Sequence, residues 1–249
     1  MSTYTKSALD TPDLLGILKQ RGLVITNEPD ALHTLSVISY FRLASFFRPL
    51  EADKHTHQFR QGCTLEQVMA LYEFDTSLRD LVFSATRIIE IALRTRMNHR
   101  LSMKHKPFWF TNVDLATDGH LFTENLSSVD RELRRSKEEF IKEHFARYTK
   151  PTFPPAWKTL ETVSFIWNRR YAVKPQMPRR INGRDRLTDF SFPPDKLYPQ
   201  LCCIAYLLNS IAPENTFAAD IKALLQKYPT VNPAAMGMVT NWQDEPLWK

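Results

Sequence analysis

Glycine is scarce. The chain has six glycines in 249 residues, and none of them builds the Gly-rich loop that cradles a nucleotide's phosphates. Neither His-Glu-x-x-His nor Cys-x-x-Cys occurs, which removes the common short signatures of zinc hydrolases and of thiol redox enzymes. The three cysteines include an adjacent pair, Cys202 and Cys203, a poor basis for a disulfide framework and the pattern expected of a reducing compartment. Long hydrophobic runs are missing too. The longest, Leu201–Leu208, falls far short of the roughly 18 residues that span a bilayer. The opening MSTYTKSALD lacks the basic and apolar regions of a signal peptide. These absences set the expectation of a cytoplasmic protein without a membrane span.

Helical periodicity is abundant. Thr64–Leu101 contains no Pro and no Gly. Thr64 followed by Gln67 is a capping-box start. Leu71, Phe74, Leu78, Leu81, Ala85, Ile88 and Ala92 then recur at the three-and-four spacing of an amphipathic helix. Val82, Ile89 and Leu93 widen the stripe beyond a coiled-coil seam. Asp75 with Arg79, and Glu90 with Arg94, stand four apart with the acid first, the better order on a helix. A helix this long and apolar needs other helices around it.

The rest of the chain follows the same pattern. Thr11-Pro12-Asp13 opens a helix, with Thr11 as N-cap and Pro12 at the first helical position, that Gly22 ends. A second helix runs from about Pro29 and meets the aromatic cluster Tyr40-Phe41-Arg42-Leu43, followed by Phe46 and Phe47, and Pro49 stops that region. Glu51–Gly62 is polar and reads as a loop. Its His55 and His57, with Cys63, supply three potential zinc ligands where a structural site takes four, so no metal is expected. Asp130–Tyr148, Trp157–Ile166, Leu197–Ile211 and Phe217–Tyr228 read as further helices, with Met236, Met238, Trp242 and Trp248 pinning the tail. No strand-period alternation stands out. The expectation is one all-α domain, residues 1–249, organised as a helical bundle around one long central helix, with no cofactor.

Charge is unevenly placed. Trp167–Leu187 holds Arg169, Arg170, Lys174, Arg179, Arg180, Arg184 and Arg186 against the single acid Asp185, which equals the whole chain's net +6. A concentrated basic segment points to a polyanion, with nucleic-acid phosphate the commonest. Trp167 and Tyr171 within it are candidates for stacking on unpaired bases or for core packing.

Several separated motifs resemble a known family: Arg21-Gly22-Leu23-Val24-Ile25, Ile38-Ser39-Tyr40-Phe41-Arg42-Leu43, Leu71-Tyr72-Glu73-Phe74-Asp75 with Leu78-Arg79, Ile89-Glu90-Ile91-Ala92-Leu93-Arg94-Thr95, then Trp167-Asn168-Arg169-Arg170, Lys174-Pro175, Met236-Gly237 and Pro246-Leu247-Trp248. In this order they look like the Abi-like proteins of bacteria, the AbiD/AbiF-type abortive-infection proteins. The resemblance implies phage defence by growth arrest, an α-helical fold related to the HEPN ribonucleases, and RNA as partner. In the family so resembled, a further segment precedes the Trp-Asn-Arg motif and carries the Arg and His of the ribonuclease site. Here Phe165 runs directly into Ile166-Trp167-Asn168-Arg169, so no position receives that Arg and His.

Two Arg-x4-His strings do occur, Arg94 with His99 and Arg100 with His105. Arg94 and His99 are the residual catalytic candidates. A metal-independent ribonuclease needs a base near the 2′-hydroxyl and a cation near the phosphate, and spacing alone supplies neither. Three functions therefore stay open: an RNA-binding defence protein without the family's nuclease site, a metal-independent RNase using other residues, and a protein-interaction module that forms a homodimer.

Overall fold

The computed structural model describes residues 7–116, 118–163, 176–181, 184–189 and 197–249, with the backbone alone for the 176–189 strands. The expected class holds: the described residues are predominantly helical, and the longest helix is the expected one. Helix α4 spans Leu65–His105, 41 residues without a break, or about 60 Å. Its start is the capping box read from the sequence. The Gln67 backbone N–H donates to Thr64 Oγ1 and the Thr64 N–H donates to Gln67 Oε1, both at 3.3 Å. Both expected ion pairs form, Arg79–Asp75 at 2.6 Å and Arg94–Glu90 at 2.7 Å.

The chain divides into two compact units, Met1–Phe83 with Asn215–Lys249, and Ser84–Glu214. In the first, α1 (Thr11–Gln20) is capped by Asp10 rather than Thr11, and Asp10 Oδ1 accepts the Asp13 N–H at 3.0 Å. Gly22 then takes φ +87°, a left-handed conformation that suits glycine. α2 (Glu28–Val37) starts near the expected Pro29, and the aromatic cluster it meets forms a helix of its own, α3 (Tyr40–Phe47). Ser39 separates them, because its hydroxyl accepts the Arg42 N–H and starts α3 afresh. Leu18, Leu43 and Val68, all fully buried, centre the core here. α9 (Phe217–Lys227) and the tail complete this unit: Tyr228 packs edge-on to Phe74, and Trp242 and Trp248 are buried. The aromatic tail is thus pinned as expected.

In the second unit α5 (Gly119–Arg135) and α6 (Glu139–Arg147) replace the single helix expected over Asp130–Tyr148. Asp118 caps α5 through the His120 and Leu121 N–H groups, and the chain turns extended at Ser136. α7 (Ala156–Thr162) follows, and α8 covers Leu197–Ile211 as expected. Trp109, Phe110, Val129, Leu133, Ile141 and Leu160 form the core, with Met97 and Leu101 of α4 against it. Ala85 and Ile89 are buried earlier on α4, but beyond Arg94 the buried residue is Asn98. That residue lies on roughly the opposite side of the helix, so the helix changes the face it buries. Ile88, expected in the stripe, is 38% exposed.

Strands are present where none stood out in the sequence. β1 (Glu51–Asp53) and β2 (Gln58–Phe59) form a short hairpin inside the expected loop. β3 (Gln176–Ile181) and β4 (Arg184–Asp189) pair antiparallel within the basic segment. Both hairpins are local, and neither contributes a layer to the fold.

Candidate functional site

The motif side chains are mostly occupied with one another. Arg21 Nη1 donates to the Tyr40 hydroxyl at 2.6 Å. Arg42 Nε donates to the Tyr72 hydroxyl at 3.2 Å, with its guanidinium 5.6 Å from that ring's centroid. Asp75 holds Arg79 and Glu90 holds Arg94. These pairs tie α1 to α3, α3 to α4, and α4 to itself. These contacts hold the scaffold together.

Arg94 is the clearest case. Its Nη2 donates to Glu90 Oε1 and its Nη1 to the Leu160 carbonyl, each at 2.7 Å. Leu160 lies in the last turn of α7, where carbonyls lack intrahelical donors. The Arg94 side chain is only 12% exposed. His99 is exposed, and five residues along a helix place it about 140° around the axis from Arg94. The two candidates are therefore not brought together. Arg100, like His99, is exposed, and His105 is half-buried at the end of α4.

His57 Nδ1 lies 3.1 Å from Glu51 Oε1, and Cys63 Sγ donates to the Leu50 carbonyl at 3.6 Å. Among the described residues no group of three or more His, Cys, Asp or Glu side chains is placed to hold a metal ion. One titratable group that sequence reading did not single out is His144 of α6. It is buried, its Nε2 has no hydrogen-bond partner among the described residues, and burial, with a smaller contribution from the nearby Lys158 ammonium, holds its pKa below the usual imidazole value. Nothing in the local sequence separates it from an exposed helix histidine.

Of the basic segment, Trp167, Arg169, Arg170, Tyr171 and Lys174 lie outside the described residues. The backbone register covers the remainder. Arg179 stands opposite Arg186, Arg180 opposite Asp185, and Ile181 opposite Arg184. The sequence signal for this hairpin is the Asn182-Gly183 pair between Ile181 and Arg184, the strongest short-range one there is. Residues that face each other across an antiparallel ladder, and those two apart along a strand, share a face. Arg179, Arg184 and Arg186 thus belong to one face and Arg180 with Asp185 to the other.

A family model described as Abi-like protein matches residues 33–190 of this chain. That match covers more than half of the sequence. No curated protein and no solved structure matches it.

Proposed function

The chain belongs to the Abi-like protein family, and on that premise we propose that it is a phage-defence protein that binds RNA through Arg169, Arg170, Lys174, Arg179, Arg180, Arg184 and Arg186. The reading takes residues 1–249 as one functional domain acting in the bacterial cytoplasm. The observation that carries it is the concentration of the chain's net charge, +6, in a segment whose ladder register gathers Arg179, Arg184 and Arg186 on one face. Three arginines on a face without an acid suit a phosphate backbone, which a guanidinium meets with two parallel hydrogen bonds.

The reading includes no HEPN ribonuclease site. Arg94 is engaged by Glu90 and Leu160, and His99 points away from it. A second reading, homodimerisation, has its own support. Ile88 and Ile91 on α4 are 38% and 59% exposed, and exposed apolar side chains on adjacent turns suit a two-fold contact.

The test is fluorescence anisotropy with a labelled single-stranded RNA. Changing Arg169, Arg170, Arg179 and Arg180 to Glu abolishes binding if the segment grips RNA. Undiminished affinity in that variant places the RNA site elsewhere. Cleavage of the RNA by purified protein, lost on mutating Arg94 or His99, supports the ribonuclease alternative instead.

A further inference from the structure

The whole-chain charge balance conceals a second basic stretch. Ile91–Val113 contains Arg94, Arg96, Arg100, Lys104 and Lys106, and no Asp or Glu. Acids elsewhere cancel it in the total. Within α4 the structure sorts these cations. Arg94 turns toward Glu90 and Leu160. Arg96, Arg100 and Lys104 are exposed and take part in no ion pair among the described residues.

These three are four residues apart, so they rise along one ridge at about 6 Å per step. Exposed Leu93 and Met103 flank them, at 41% and 77% exposure. Asn98 is buried on the opposite side of the helix, and Met97 and Leu101, between it and the ridge, pack toward the core. Like charges at this spacing repel each other along a helix. The helix dipole compensates only within the last turn, which contains Lys104. Arg96 and Arg100 lie further back, and no acid among the described residues is paired with them.

We propose that this ridge is a second nucleic-acid contact, on which Arg96, Arg100 and Lys104 bind consecutive phosphates of a single-stranded RNA. The inference rests on the RNA-binding reading and extends it to residues outside Trp167–Leu187. A regular row of unpaired cations is complementary to a regular row of phosphates. The flanking Leu93 and Met103 offer an apolar border for unstacked bases. A membrane surface fits less well, because one narrow cationic ridge with two apolar side chains is not the broad apolar face of an interfacial helix.

The test compares three full-length proteins: the native chain, Arg96→Gln/Arg100→Gln/Lys104→Gln, and the charge-reversed basic-segment variant. Glutamine retains helix propensity, and an unchanged thermal midpoint shows that the fold is intact. Binding of a labelled single-stranded RNA is measured by anisotropy across a salt series. The glutamine variant is expected to bind at least about tenfold more weakly at low salt, with a log–log salt slope shallower by about 2. A second variant, Arg96→Lys/Arg100→Lys, retains most of the affinity. An unchanged affinity and slope in the glutamine variant overturns the ridge, whatever the segment variant does. Loss in the glutamine variant alone leaves the ridge standing and removes the segment. A native protein that binds anionic vesicles through these residues, or binds no RNA, overturns the proposal.

Discussion

Arg94→Ala separates a structural from a catalytic role for that residue. The substitution removes two interactions at once. The charged hydrogen bond from Nη1 to the Leu160 carbonyl is 2.7 Å long and comes from a side chain only 12% exposed. A hydrogen bond to a charged group in such a setting contributes about 1.5–3 kcal/mol. The pair with Glu90, whose side chain is 35% exposed, is screened by solvent and adds at most about 1 kcal/mol. Unfolding free energy should therefore fall by about 2–4 kcal/mol, read from urea titration followed by circular dichroism. Arg94→Lys should lose an intermediate amount, since one ammonium does not reproduce the fork that reaches both partners. His99→Ala, at an exposed position, should be within about 0.5 kcal/mol of the native protein. An Arg94→Ala protein as stable as the native chain would refute the account of this residue as a strut between α4 and α7.

Other expectations follow from burial and capping. Leu133, 1% exposed in the second unit's core, should cost about 2–5 kcal/mol on truncation to Ala, measured by the same titration. Thr64→Ala removes one arm of the capping box at the head of α4 and should cost about 1 kcal/mol, with Thr64→Ser close to neutral. His144 has a folded pKa below its unfolded value because burial, and to a smaller extent Lys158, disfavour the imidazolium. The unfolded chain therefore binds the proton first as pH falls. Stability should decline from about pH 6.5, the ordinary imidazole value, down through the folded pKa, and be level above it with respect to this group. His144→Phe should flatten that part of a stability-versus-pH curve; an unaltered slope between pH 7 and 5 would contradict the assignment.

What the sequence discloses is chiefly local. Thr64 and Gln67 reach each other within one turn, and Asp75 reaches Arg79 across one more. Such features are legible because i to i+3 and i+4 geometry is fixed by the helix itself. The break between α5 and α6 was not legible, since Ser136 interrupts a pattern of charged helix formers that reads as continuous. The division of α2 from α3 turns on one hydroxyl, Ser39. Arg94 shows the limit most clearly. Glu90 is visible four residues away, but the Leu160 carbonyl is 66 residues distant and becomes a partner only when α7 packs. The basic hairpin was legible in Asn182-Gly183, yet the density of arginine around it suggests an irregular charged stretch rather than paired strands.

RNA binding through the basic segment is tested most directly by a salt titration of affinity, with single-stranded RNA and the native protein beside the Arg169→Glu/Arg170→Glu/Arg179→Glu/Arg180→Glu variant. If the segment's net six positive charges meet phosphates, the plot of log K against log salt should have a slope of about −4 or steeper for the native chain, at about 0.7 per phosphate contacted. The variant should bind far more weakly at low salt, with a slope shallower by about 3 for the four cations lost. A native protein whose affinity is absent or insensitive to salt, or a variant that binds as tightly as the native chain, would contradict the account.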